Sequence, residues 1–417
     1  MNQQIKARIE QIKRGEVPQG YKRTKIGVVP SGWEVKMINN IATISSGLTP
    51  NRSNKLFWNG NIPWLTTTLL NKDVINFANE YITQQALKDT SLKLIPKNTI
   101  LMAMYGQGKT RGQVAILKFE ATINQACAAI QVKQHNVNFI FFYLKSQYEN
   151  IRNLSNIGNQ ENLNAEIIKS IKLPIPDISE QQKIADILTV QDKIIELKEK
   201  LIAEKQQQKK WLMQNLLIGK KRLNGFCGEW KEHKLGKLFD ERIERHATHL
   251  PLLAITGTKG VIPRSKLDLK DNSSEDKSKY LKICVGDIGY NTMRMWQGVS
   301  AHAEYEGIVS PAYTILKTTD SINSKYFSYV FKMPNVVFMF YRFSQGLVDD
   351  TRSLKYSNFK QIKVYYPVDE NEQISIAEIL STADREIELL QKDLAEEKQK
   401  KKALMQLLLT GIVRVNI

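Results

Sequence analysis

The chain has 417 residues, 42% of them hydrophobic, and a formal net charge of +18 at neutral pH. That length accommodates two or three domains with cores of their own, and the charge implies a polyanionic partner, nucleic acid before membrane. Three scattered cysteines (Cys127, Cys227, Cys284) lack any CxxC spacing, which argues against a disulfide framework or a cysteine zinc cluster and fits a reducing cytoplasm.

Residues 1–24 read as a basic amphipathic lead-in with Ile5, Ile9 and Ile12 on one face. They lack the apolar stretch of a signal peptide, and no apolar run in the chain approaches the roughly 20 residues that span a bilayer. A cytoplasmic protein without a membrane partner is expected. From about residue 25 to 172 the pattern changes to short β-type runs punctuated by Gly, Pro and Asn. This region opens with Gly32-Trp33 and a short apolar helix pattern at Ile38 and Ile41.

Within it, Ala103-Met104-Tyr105-Gly106-Gln107-Gly108-Lys109-Thr110 satisfies a loose phosphate-loop pattern, with alanine replacing the first glycine. A phosphate loop needs a helix directly after Lys-Thr, so that its amides meet the phosphate. Here Arg111-Gly112-Gln113 leads into Val114-Ala115-Ile116-Leu117, which reads as a strand. Residues 99–104 and 113–119 are therefore predicted to form a hairpin with a long basic tip. Gln107, Lys109, Thr110 and Arg111 on that tip are donors suited to phosphates and base edges. A polar loop at residues 158–162 adds Asn159 and Gln160.

A long helix follows, with Ser179 in the N-cap position after Pro174 and Pro176 and with Gly219 as its stop. Pro176-Asp177 with Glu196-Leu197-Lys198 formally matches a nuclease PD…ExK pattern. Glu196, however, falls in the middle of the helical stretch, and the carboxylates of such a site should converge from neighbouring strands. A second β-rich region spans about 224–366 and opens with Gly228-Glu229-Trp230, then Leu235 and Leu238. His246 and His249 have the spacing of a metal pair but no acidic or cysteine partner nearby, so a solvated loop is the better reading. Asn291, Arg294, Trp296 and Gln297 form a counterpart to the basic tip, and Gln345 and Arg352 lie on a further loop. Asn and Gln can grip adenine with two hydrogen bonds and Arg can do the same with guanine. The last element is another long helix, with Asn371 in the N-cap position and Gly411 as its stop.

The two helices are copies. Residues 180–223 reappear as 372–415 at a constant offset of 192, with 23 of the 44 positions identical. Leucine and isoleucine spacings of three and four, broken by polar residues, give both a coiled-coil pattern. A continuous helix from Ser179 to Leu216 would be roughly 57 Å long. The β-rich regions echo each other only at their ends, closing on Ile168-Lys169-Ser170-Ile171-Lys172 and Phe359-Lys360-Gln361-Ile362-Lys363. No base-methylation motif, glycine-rich cofactor fingerprint or Ser/His/Asp signature occurs.

Residues 173–185, the repeated segment from Tyr366 to Ala377 and the opening Val29-Pro30-Ser31-Gly32-Trp33 resemble the specificity (S) subunits of type I DNA restriction–modification systems. The likeness covers nearly the whole chain; one departure is that the second copy keeps only Pro367 of the two prolines. The resemblance implies an α+β fold in which two globular target recognition domains alternate with two long helices, paired as an antiparallel coiled coil with pseudo-twofold symmetry. The segments are then 1–24 (lead-in), 25–172 and 224–366 (recognition domains), and 173–223 and 367–417 (helices). Residues 1–24 are expected beside the end of the second helix. The resemblance also implies that the chain is not an enzyme and binds no cofactor. Its partners would be double-stranded DNA, two methyltransferase (M) subunits carrying S-adenosylmethionine, and restriction (R) subunits using ATP and Mg. Two other readings compete with it: a phosphate-loop ATPase or nuclease resting on Lys109 and Glu196, and a coiled-coil scaffold whose basic charge is incidental.

Overall fold

A computed structural model describes residues 3–106, 108–154, 162–257, 260–267, 276–319 and 322–415. The chain divides into two compact units, residues 1–198 with 393–417, and residues 199–392. Both divisions fall inside the long helices, Ile178–Leu216 and Glu370–Leu408, each of 39 residues. Each unit therefore contains the first part of one helix and the last part of the other. The helices start earlier than Ser179 and Asn371 suggest. Asp177 is the cap: its carboxylate accepts from the Glu180 amide at 2.9 Å and from the Ser179 hydroxyl at 2.6 Å. Those two bonds, the hydroxyl first, hold its pKa below the usual aspartate value. Asp369 takes the same place before the second helix, accepting from the Asn371 amide. Aspartate is as good a cap as serine and favours the positive helix N-terminus, so it outcompetes the residue two positions on.

In the first unit a five-stranded sheet runs in the order Ala42–Ser46, Cys127–Val132, Ile100–Ala103, Val114–Leu117, Val74–Ile75. All its pairs are antiparallel except the last. In the second unit a four-stranded antiparallel sheet runs Phe239–Arg242, Tyr313–Thr318, Ile288–Asn291, Ser300–His302. The first four strands of one sheet and the four of the other share one order, although their sequences no longer align. Each unit also pairs the strand at its opening tryptophan with the strand before its long helix. Glu34–Met37 lies against Lys172–Ile175, and Trp230–Lys234 against Lys363–Pro367. That pairing brings the start and end of each β-rich region together beside the helix.

The first core buries Trp33, Ile38 and Phe139 with Ile184, Ala185 and Leu188 of one helix and Leu408 and Leu409 of the other. In the second, Leu235, Phe239 and Phe327 pack with Ile376, Ala377, Leu380, Leu216 and Leu217. The helical residues of the two cores are the same repeat positions with the copies exchanged. The helix stretches run antiparallel within each unit. Lys198 pairs with Asp393, and Lys401 with Asp192, in the first; Lys205 pairs with Glu386 and Lys209 with Asp384 in the second.

Each unit closes with a buried clasp. Glu180, its side chain 0% exposed, accepts two hydrogen bonds from the Arg414 guanidinium at 2.6 and 2.7 Å and one from the Trp33 indole N–H at 2.9 Å. Glu372 accepts two from Arg222 at 2.6 and 2.7 Å. Gly411 and Gly219 are left-handed (φ 69° and 71°), so they end the helices. A Cβ on either would press on the opening tryptophan, 3.2 Å from Trp33 or Trp230. The lead-in helix Gln3–Lys13 meets this end of the first unit: Arg8 bonds the Ile412 carbonyl, and Tyr21 donates to that of Gly411 at 2.8 Å. This is where residues 1–24 were expected.

Candidate nucleic-acid interface

Strands Ile100–Ala103 and Val114–Leu117 form the predicted hairpin, registered Ile100 to Ile116. Its tip holds Lys109, exposed, and Thr110, half-buried; Gln107 lies outside the described residues. Arg111 is only 7% exposed and so sits beneath the tip instead of on it. A strand rather than a helix follows Thr110, so the amides a phosphate loop requires are absent from this segment. The tip is held from behind by the short helix Tyr148–Arg152. Tyr148 donates its hydroxyl to the Lys109 carbonyl at 2.6 Å, and Arg152 donates to the Gly108 carbonyl at 2.5 Å and the Tyr148 oxygen at 2.9 Å. Neither residue was singled out in the sequence; the signal was a tyrosine and an arginine four apart on one helix face. Asn159 and Gln160 lie outside the described residues. Just beyond them, the Leu163 amide bonds the Met104 carbonyl at 2.9 Å, returning the chain to the base of the hairpin.

The second unit repeats that return, for the Leu354 amide bonds the Thr292 carbonyl at 2.9 Å. It brings the two predicted loops together. Asn291 ends its strand and accepts from the Met293 amide at 3.0 Å, which turns the chain into Met295–Gln297. Arg294 and Gln297 are exposed on this turn, and Trp296 is half-buried. The Trp296 ring meets Tyr341 edge-on at 6.2 Å, and the Arg352 guanidinium lies over the Tyr341 ring at 4.1 Å. Gln345 is exposed, with its backbone paired to Ser353. Tyr341, on the helix Pro334–Phe343, is therefore the joint between the two loops, and periodicity alone did not identify it.

Lys332 was also missed. Its ammonium donates to the Gly298 and Ser300 carbonyls, each at 2.6 Å, and so fixes the turn from behind. Burial, with a smaller contribution from the charge of Lys209, pushes its pKa down to about 8. The remaining candidates are plain. Asp177 caps a helix, and Glu196 is exposed and paired with Lys193, so the two do not make a nuclease centre. Among the described residues no group of three or more His, Cys, Asp and Glu is placed to hold a metal ion. Nor is any described helix long and apolar enough to cross a membrane.

Residues 30–206 match the family described as the type I restriction modification DNA specificity domain. The MjaIX specificity subunit of Methanocaldococcus jannaschii is 35% identical over 190 residues, 43% of this chain and 42% of that protein. Over these residues the chain is similar to the type I specificity subunits. The aligned part spans about two fifths of the length of that relative, and of the Escherichia coli EcoR124I/EcoR124II specificity subunit, which is 30% identical over 163 residues, 37% of this chain and 40% of that protein. Similarity to a third protein, the M. jannaschii MjaX specificity subunit, runs at 24% identity over 95% of this chain and 97% of that one. The fold agrees: the S subunit of M. genitalium superposes with a TM-score of 0.58 at 16% identity, covering 92% of this chain and 96% of its own. The expected α+β architecture of long helices alternating with β-rich regions is thus shared with that S subunit.

Proposed function

We propose that this chain is the DNA-recognising subunit of a type I restriction–modification complex and has no catalytic centre of its own. Each unit reads one half of a split duplex target in the major groove. The first uses the hairpin tip around Lys109 and Thr110; the second uses the paired loops around Asn291, Arg294, Trp296, Gln297, Gln345 and Arg352. The observation that carries this reading is the repeat of one framework with different tips: matching sheet order and matching loop returns at Leu163 and Leu354, under unrelated polar residues. Helices of 39 residues, about 58 Å at 1.5 Å per residue, suit a separation of one to two duplex turns at about 35 Å each.

The near-identical helices offer two methyltransferase subunits the same surface. Those partners would supply S-adenosylmethionine, and restriction subunits ATP and Mg. A stand-alone ATPase or nuclease is not favoured, since neither Lys109 nor Glu196 sits in the setting that chemistry needs. The test is to map methylated adenines across DNA from cells carrying the complete system. Two half-sites at a fixed gap are expected. Modification spread over unrelated sequences would overturn the proposal.

A further inference from the structure

The loop from Gln345 to Ser353 in the second unit carries a feature that the polar readers do not explain. Leu347 is 100% exposed and Val348 59% exposed, side by side at the apex. The backbone beneath them is well tied. Gln345 and Ser353 exchange two backbone bonds at 2.9 and 2.7 Å, and the Thr351 amide closes a turn onto the Val348 carbonyl at 3.0 Å. Gly346 (φ 140°) lies so close to Arg352 that a Cβ would come within 2.7 Å of its backbone. The apolar side chains are thus held outward by a fixed loop. Complete exposure of a leucine forgoes stabilisation that a folded chain normally takes.

What would meet this apex follows from its surroundings. Gln345, Arg294 and Gln297 are exposed around the joint at Tyr341, and Arg352 is anchored on that ring. Asp349 is exposed on the same loop, paired with Arg352 at 3.4 Å. An apex combining two aliphatic groups with a carboxylate is unsuited to phosphates, which would repel the acid and gain nothing from the leucine. Base edges suit it. The major groove offers aliphatic groups one natural counterpart, the 5-methyl of thymine. We infer that Leu347, with Val348 beside it, reads a thymine methyl in the half-site of the second unit. This rests on the proposed DNA-recognition role and adds a specificity residue to it.

The test uses the full-length chain co-purified with its methyltransferase subunits. The bound sequence is first selected from a randomised duplex pool, and each thymine of the site is then replaced in turn by uracil, which lacks only the methyl. One position in a single half-site is expected to weaken binding by about four-fold, the value of a buried methyl-sized group. In Leu347→Ala the same replacement should change nothing, while the wild-type site is bound about four-fold more weakly. A fully exposed side chain makes this variant safe for folding. If every uracil duplex binds like its parent, or if Leu347→Ala keeps the full uracil penalty, the inference fails while sequence recognition stands. If no sequence is enriched from the pool, the recognition role falls as well.

Discussion

Arg414→Ala removes the cation from the clasp of the first unit and leaves the Glu180 carboxylate buried with the Trp33 N–H as its remaining hydrogen-bond donor among the described residues. Two charge-assisted hydrogen bonds to a fully buried carboxylate would carry about 1.5–3 kcal/mol each. The Arg414 side chain is 44% exposed, so water screens the pair, and the discounted cost is about 2 kcal/mol in all. In a domain of this size that lowers the midpoint by about 4–8 °C, read by differential scanning calorimetry. Glu180→Gln on the same background removes the stranded charge but keeps an oxygen for the indole. The double variant should therefore be less damaged than the two single losses summed. A loss below about 0.5 kcal/mol for Arg414→Ala would place the pair among ordinary surface ion pairs and refute the reasoning. So would strict additivity in the double variant. Arg222→Ala tests the equivalent contact to Glu372 and should act in the same direction on the second unit alone.

Other outcomes follow from single side chains. Lys332 has a pKa of about 8 in the fold against 10.5 when free, so between those values the unfolded chain binds more protons. Stability of the second unit should therefore rise as pH increases from 8 to 10.5, by about 3 kcal/mol, and denaturant titrations of Lys332→Met should lose that slope. Tyr148→Phe frees the Lys109 carbonyl from its donor, and the loosened tip should weaken binding about five-fold for one half-site only, measured on duplexes altered in each half. Lys109→Ala should lower affinity for all sequences alike and reduce the salt-dependence slope by about one, with dissociation constants measured across a salt series. Leu197 and Leu389, exposed at the same position of the repeat, are expected contacts for the two methyltransferase subunits. Leu197→Asp or Leu389→Asp alone should release one of them by native mass spectrometry without shifting the melting midpoint.

The helices were legible because their information is local: cap, periodicity and stop lie within one stretch. Even the cap was placed two residues late, since Ser179 and Asp177 both satisfy the rule and only the hydrogen bonds decide between them. The hairpin was legible for the same reason. The shared sheet order was not. Strand pairing runs through the backbone and asks of a central strand only that its side chains be apolar enough to bury, so Ile100–Ala103 and Ile288–Asn291 can occupy equivalent places with little identity. The loops are marked by their polar composition, but composition cannot report burial, so Arg111 has the sequence character of a tip residue while its side chain is buried beneath the tip. Tyr341, Tyr148 and Lys332 escaped because each acts through a loop distant in sequence.

Which helix positions stayed identical has a physical reason in the pairing. Glu180 of the first copy meets Arg414 of the second, and Glu372 of the second meets Arg222 of the first. Lys401 with Asp192 and Lys209 with Asp384 are exchanged in the same way. After a duplication, every such contact exists twice with its ends on opposite copies. Changing one glutamate breaks one clasp and leaves the other intact, so no single substitution improves both. Other pairs did diverge: Lys198 and Asp393 form an ion pair, and their counterparts 192 residues away are Leu390 and Leu201, while those of the Lys205–Glu386 pair are Glu397 and Ile194. The candidate loops are free of this constraint because each makes its contacts within its own β-rich region, and there the two halves have diverged most.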